Sequence, residues 1–408
     1  MRDTTPTIQS NGDRLRKLRL AKGWSRDQLA AAADGISIHT IQAYEQGRRG
    51  LENWHTITLL ADALGCHPTQ ITGAPYPVAP SDRDGQVASS AMPALHRALL
   101  CHGRPGQITA AEADAVDLQV LAARVGKATE LRQRAALARS GELLPQLVRD
   151  LQVAVAVLAA GPDRRAAYDL LASAYECVMQ VAYKLGHIST ATLATERVVW
   201  SALETGDPLR VMASRWYEAG EYIAVGEHQV AADIIDGALV ELDEYGSRTP
   251  QAVSLRGAMH LKMALNAARA ADRPQAEASW RSAMEVAEQL GEDRNDYQLM
   301  FGPTNTLIWG VTVPIEFGDG REAIKRAERV RIPKGYSKER AGHFHMDVGR
   351  AYFYAGNRDR ALAAFLQAEQ VAPQQTRMHP GVRETLTTMI RTARPGALHQ
   401  LAVRAGVI

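Results

Sequence analysis

The chain has 408 residues, more than one domain's worth, and its 46% hydrophobic and 23% charged residues give the balance of a folded globular protein. A net charge of +2 excludes a polycation, so any attraction to nucleic acid has to be local. Cys66, Cys101 and Cys177 are far apart and fit neither zinc spacing nor a disulfide framework, and with no signal-like N-terminus and no apolar run long enough to span a membrane the expected home is the cytoplasm.

In chain order, residues 1–12 read as a disordered arm in which Arg2 is the only cation. Asp13 to Gly23 is expected to form a first helix, with Leu15, Leu18 and Leu20 inward and Arg14, Arg16, Lys17, Arg19 and Lys22 outward. Ser25 is a good N-cap for a short Ala-rich helix carrying Gln28, Leu29 and Ala30, which Asp34-Gly35 ends. Ser37 caps the next helix, running through Ile38, Ile41 and Tyr44 to Glu45. Gln46-Gly47 closes it, and Arg48 and Arg49 follow. Two short helices, a Gly-containing turn and a basic exit make a helix-turn-helix pattern. Leu29, Ala30, Ile36, Ile41 and Tyr44 recur at helical intervals and should face the core. That leaves Ile38, His39, Thr40, Gln42 and Ala43 on the outer face. Trp54 to Leu64 reads as another helix stopped by Gly65, and Pro68-Thr69-Gln70-Ile71 as a short fifth one.

The motifs W-S-x-x-x-L-A, G-I-S and I-x-x-Y-E-x-G-R-R, spread over residues 13–73, resemble the XRE (Cro-type) family of helix-turn-helix regulators. The turn Ala33-Asp34-Gly35-Ile36 reads one residue longer than in that family's phage members. The resemblance implies a five-helix, lambda-repressor-like DNA-binding domain. It implies that His39, Thr40 and Gln42 read base edges, with Ile38 and Ala43 packing on thymine methyls. It also implies that Arg26, Arg48 and Arg49 hold phosphates. The partner is then a double-stranded operator, palindromic if the protein is a homodimer, since one small head contacts few base pairs.

Three prolines and small polar residues mark residues 74–92 as a linker able to set the reach between two heads. Residues 93–141 are expected to be a helical connector or cap. Within it, Ala110 to Arg139 forms one nearly continuous tract with Leu118, Leu121, Val125, Leu131 and Leu137 as apolar positions. Residues 142–408 are helix after helix with internal self-similarity. The last unit is clearest, with Gly349, Tyr352, Ala361, Phe365, Ala368 and Pro373, and these intervals resemble the tetratricopeptide repeat. Ala219, Tyr222, Ala231, Ile235 and Ala238 repeat it, as do Ala264, Ala276, Trp280 and Ala283. Ala194 with Val198 and Ala323 with Ala327 are fainter copies. The central alanines at 194, 231, 276, 323 and 361 are separated by 37, 45, 47 and 38 residues, longer than the usual period of about 34. Pro395 to Ile408 is expected to be a terminal capping helix. The fold expected is therefore all-α: a lambda-repressor-like head and an α-solenoid of tetratricopeptide-like hairpins.

In tetratricopeptide proteins the first helix of each pair lines a concave surface. By resemblance an effector would meet Met179, Tyr183, Trp216, Lys262, Asn266, Asn305, Trp309, His343, Met346, Arg350 and Phe353. Arg350 suits a carboxylate, and Asn266 a peptide amide. His343-Phe344-His345-Met346-Asp347 is not a metal site, because residues two apart on a helix diverge. No HExxH, phosphate loop, dinucleotide loop or nucleophile elbow occurs, so neither enzymatic activity nor a cofactor is expected. The layout resembles the peptide-pheromone-responsive (quorum-sensing) regulators of Gram-positive bacteria. It implies a homodimeric regulator, repressor or activator, whose operator binding responds to a peptide or small signalling molecule. Two alternatives remain: repeats that bind a protein partner, or repeats that only dimerise a constitutive repressor.

Overall fold

The computed structural model describes residues 9–246, 248–391 and 396–408. Those residues are all-helical, without a β-strand, and none of their helices is long and apolar enough to cross a membrane. The N-terminal head is built from α1 (Asn11–Ala21), α2 (Arg26–Ala32), α3 (Ile38–Glu45), α4 (Trp54–Leu64) and α5 (Pro68–Thr72). Positions 1–8 of the expected arm, Arg2 among them, lie outside the described residues. Ser10 already N-caps α1, accepting from Asp13 N while the Asp13 carboxylate accepts from Ser10 N. Ser25 forms the same reciprocal box with Gln28 at the start of α2. Leu15, Leu29, Ile41, Tyr44, Leu51, Ile57, Leu60 and Ile71 close the head's core.

One inward position departs from the expectation. Leu20 is 55% exposed, whereas Arg19, expected outside, is only 5% exposed. Residues 15 and 19 are one helical turn apart and share a face, and at 19 that face meets a carboxylate. Glu45, at the end of α3, receives Arg19 Nε at 2.6 Å and a second Arg19 nitrogen at 2.9 Å. It also receives Arg26 Nε of α2 at 2.7 Å. Burial by itself would raise the Glu45 carboxyl. The bonds from Arg19 and Arg26 outweigh it and hold the group below the usual carboxylate range. Three head helices thus meet on one buried charge.

After the head the chain is not a free tether. Residues 74–92, expected as a linker, pack against the rest of the molecule: Tyr76 N–H donates to Leu185 O at 3.2 Å, and Ala79, Asp82 and Ala88 are buried. The segment contains α6 (Arg83–Ser90) and leads into α7 (Met92–Leu100). The expected continuous tract over 110–139 is broken into α8 (Ala110–Asp114), α9 (Leu118–Gln133) and the start of α10 (Leu137–Val157). The expected boundary at 141/142 falls inside α10 and is not a boundary. The apolar positions of that tract pack inward, with Leu121, Val125, Leu131 and Leu137 all buried.

Then come consecutive antiparallel hairpins: α11 (Pro162–Lys184) with α12 (Ile188–Thr205), α13 (Pro208–Val225) with α14 (His228–Tyr245), and α15 (Pro250–Arg269) with α16 (Arg273–Leu290). They continue with α17 (Pro303–Glu316) and α18 (Gly320–Ala327), and α19 (Lys338–Tyr354) and α20 (Arg358–Val371). Ala194, Ala231, Ala276, Ala323 and Ala361 each sit in the second helix of a pair at 0% exposure, where a small side chain lets paired axes approach. In the last pair Gly349 serves the same end, since a Cβ there would collide with the Phe365 ring. The chain ends with α21 (Pro373–Met378), α22 (Pro380–Ile390) and α23 (Ala397–Arg404). Pro395, placed at the start of the capping helix, lies outside the described residues, while Leu398, Leu401 and Ala402 of α23 are buried and join the cluster formed by Val382, Leu386 and Met389.

Glu45→Gln should destabilise the head by roughly 3–5 kcal/mol, the cost of breaking a buried ion network from one side. Faster hydrogen exchange across α1–α3 in the full-length chain is the expected reading, and unchanged exchange would remove Glu45 from this role.

Candidate functional site

The second helix of the helix-turn-helix presents its early residues outward. Its N-terminus is fixed by Ser37, whose hydroxyl accepts from Thr40 N at 3.2 Å and lies 3.0 Å from the Thr40 hydroxyl. His39 is exposed, and Ile38, Thr40, Gln42 and Ala43 are half-buried. Arg48 and Arg49 are exposed at the helix exit, the Arg49 guanidinium 5.5 Å from the Tyr44 ring centroid. Arg26 gives its Nε to Glu45 at 2.7 Å, while its side chain stays 32% exposed. The α2–α3 turn runs from Ala33 to Ser37 with Gly35 at φ +74, a left-handed position that favours glycine.

The opposite side of the head is docked on the repeats. Glu384 of α22, itself buried, accepts the backbone N–H of Asn11 at 3.0 Å and of Leu51 at 3.2 Å. Asn53 joins two helices of different regions. Its Oδ1 accepts from Thr56 N at 2.9 Å and so caps α4, while its Nδ2 donates to Glu316 O, the last carbonyl of α17, at 2.6 Å. The His55 ring nitrogen Nδ1 lies 2.9 Å from Arg269 O, the last carbonyl of α15. Such end carbonyls have no partner within their own helix, and here the head supplies one. Thr385 Oγ1 donates to Glu52 at 2.5 Å, and an Arg391 nitrogen donates to Gln46 O at 3.1 Å. Gly47, with φ +62, leaves the space that the Arg391 guanidinium occupies. Burial pushes the Glu52 and Glu384 carboxyls up.

Between the docked head and the first helices of the pairs lies a cavity of about 310 Å³, within the range of small-molecule sites, about 300–1,000 Å³. The head contributes Glu52, Trp54, Ile57, Thr69 and Thr72 to its wall, and Tyr76 of the following segment adds to it. Of the residues expected on the concave face, Met179, Tyr183, Trp216, Lys262, Asn305, Trp309, His343 and Arg350 line it. Three do not. Asn266 is turned to the neighbouring helix, donating to His228 O at 2.8 Å. Met346 is fully buried, and Phe353 packs beside it on the same hydrophobic cluster. Asn266 thus faces α14 of the preceding pair, and Met346 and Phe353 face the hydrophobic cluster they share with α20.

The lining is strongly charged and largely paired. Lys184 Nζ contacts Glu339 at 2.8 Å and Gln375 Oε1 at 2.7 Å, and His343 Nε2 lies 3.3 Å from the same Glu339. Arg350 meets Asp347 at 3.3 Å, and Arg269 meets Glu316 at 3.5 Å. Burial opposes the charge on Lys184 and brings it down to about 8. Burial likewise pushes His343 and His379 down, so both imidazoles favour the neutral form. No group of three or more His, Cys, Asp or Glu suited to a metal occurs among the described residues. His343 and His345 diverge as expected: His343 faces the cavity, and His345 stacks edge-on against Phe344 at 5.1 Å.

Sequence reasoning missed the head's share of the wall and the docking carboxylates. Trp54 and Glu52 carry no local signal for it, because their partners are hundreds of positions away in the chain. Lys184, Glu339 and Arg340 were within reach, since all three lie on first helices of the repeating pairs.

A family model described as a helix-turn-helix domain matches residues 12–72. No curated protein matches the chain. Among solved structures, BtubC (BKLC) from P. vanneervenii is similar at 16% identity and a TM-score of 0.34, covering 69% of this chain and 95% of that chain. Likeness at that level carries no functional argument.

Replacing Arg48 and Arg49 by Ala should weaken DNA binding evenly across sequences and flatten the log affinity–log salt slope by about 0.9 for each phosphate no longer neutralised. Replacing His39 and Gln42 should instead relax discrimination at individual base pairs, by ~1–3 kcal/mol for each good base pairing partner removed. Titrations of specific and scrambled duplexes at several salt concentrations separate the two, and an unchanged slope in the double Arg variant would remove these arginines from the interface.

Proposed function

We propose that this chain, which carries a helix-turn-helix DNA-binding domain at residues 12–72, is a transcription regulator rather than an enzyme. It acts as a homodimer on a palindromic operator, and its DNA affinity is set by a small ligand in the cavity between head and repeats. The observation that carries the reading is that the head itself forms part of the cavity wall, through Glu52, Trp54, Ile57, Thr69 and Thr72. A ligand that touches both walls interacts differently with docked and displaced heads, which is what a population shift requires. A cavity of about 310 Å³, at the lower end of the range of small-molecule sites of about 300–1,000 Å³, favours a small molecule over an extended peptide. Its size also weighs against a purely structural repeat, which would fill its own groove, and against a flat protein-binding surface.

Mapping binding sites genome-wide and then shifting the recovered operator with and without spent culture extract tests the proposal. A palindromic site whose occupancy changes with the extract is expected. A site indifferent to the extract would return the repeats to dimerisation or partner binding. Glu384→Ala, which frees the Asn11 and Leu51 N–H groups, should cost ~1–3 kcal/mol of head docking for each orphaned group. Operator affinity in that variant should lose its response to the extract while specificity stays. A full response in the variant would show that docking is not the link.

A further inference from the structure

The cavity contains one cation that the protein leaves without an acceptor among the described residues. Its carboxylates are engaged: Glu339 by Lys184, Asp347 by Arg350, Glu316 by Arg269. Glu221 accepts from the hydroxyls of Thr192 at 2.6 Å and Thr195 at 2.9 Å. Arg340 donates to Asn305 Oδ1 at 2.9 Å and lies 5.5 Å from the Trp309 ring centroid. Lys262 has neither a carboxylate nor any hydrogen-bond acceptor among the described residues. It is only 6% exposed, and its Nζ sits 3.4 Å from the centroid of the Trp216 ring. A Cβ on Gly220, across from it in α13, would come within 3.2 Å of that Nζ, so the glycine keeps the space beside the ammonium open.

A buried ammonium without an acceptor is costly unless a ligand supplies one. The cation–π contact with Trp216 offsets only part of that cost. The charged groups acting on Lys262 are Arg269 of its own helix, Arg340 of α19 and Glu221 of α13. Two of the three are cations, so the local field favours an anion. Burial, helped by those two arginines, brings the Lys262 amine down to about 7. The same cavity also has apolar and aromatic lining from Trp216, Trp309, Met179 and Leu265.

We propose that the ligand of this cavity is a small organic acid whose carboxylate is held by Lys262 and whose apolar or aromatic body lies against Trp216 and Trp309. The inference rests on the ligand-binding reading above and names the chemistry that reading leaves open. Lys262 then acts as the anion anchor, and binding draws a proton onto the amine. Affinity should fall as pH rises above about 7, because the empty site then loses the charge that the carboxylate needs.

The test uses full-length protein without DNA and calorimetric titration with decanoate and 2-naphthoate against their neutral amides, decanamide and 2-naphthamide. At least one acid is expected to bind tenfold or more tightly than its amide, with proton uptake. Lys262→Met should abolish that preference and Lys262→Arg should keep it. The melting temperature of empty Lys262→Met should rise, because an uncompensated buried charge has been replaced by an apolar chain of similar length; a purely structural lysine would give a fall. Amides binding as well as acids, a preference that survives Lys262→Met, or no binding by any of the four overturns the proposal. Operator shifts with and without the bound acid are run separately, so acid binding without an effect on DNA would count against regulation by ligand and leave the anion site standing.

Discussion

A single buried carboxylate, Glu384, fixes how the two parts of this protein sit together. It takes the backbone N–H groups of Asn11 and Leu51, one in the first turn of α1 and one in the loop after the recognition helix. Two N–H groups on one acceptor define an orientation, where one would define only a point of attachment. The remaining bonds extend that orientation along the head. Asn53 and His55 reach the carbonyl ends of α17 and α15, and Arg391 closes on the carboxyl end of α3. Each of these partners is a helix terminus whose polar groups would otherwise need water. The head therefore stabilises the ends of two repeat helices while they hold the head, and neither side can change its position without exposing unsatisfied backbone groups on the other.

The same geometry decides what is left free. These docking bonds come from the N-terminus of α1, the segment between α3 and α4, and the first turn of α4. The outward residues of α3 take no part, so docking leaves His39 exposed and Gln42 half-exposed. The cavity, by contrast, exists because the head is docked: Trp54 and Ile57 of α4 and Tyr76 just beyond the head complete a wall that the repeats alone would leave open. The outward residues of α3 and the cavity wall thus belong to different parts of one small five-helix body. A rigid body of that size needs no long pathway to couple them, because a change in its seat moves both faces at once.

Much of this organisation was legible in the sequence, and the parts that were not share a physical reason. N-caps and hairpin register depend on neighbours within a few residues, and Ser25, Ser37 and the five central alanines all stand where local pattern puts them. Errors arose wherever a distant partner overrode the local period. Arg19 turned inward because Glu45 was waiting there, and Leu20 was left outside. The segment after the head looked like a tether by its prolines, yet Tyr76 is pinned to α11 and Ala79 is buried near the chain's C-terminus. On the concave face, stepping along first helices found the lining at most positions and failed at Asn266, which turned to His228 of α14, and at Met346 and Phe353, which turned into the cluster around Phe365.

The charge pattern inside the cavity bears on why a site of this kind is assembled from so many ionisable residues. Pairing Lys184 with Glu339 and Arg350 with Asp347 costs desolvation and returns little net stability, so stability alone does not account for them. What the pairs do is fix long side chains in single positions around an open volume, with His343 and His379 kept toward neutral by burial. A lining fixed in this way has few spare donors or acceptors to offer an arbitrary solute, and selectivity falls to the groups left unpaired. Lys262 over Trp216 is such a group, its Nζ 3.4 Å from the ring centroid in the same cavity that the head helps to wall.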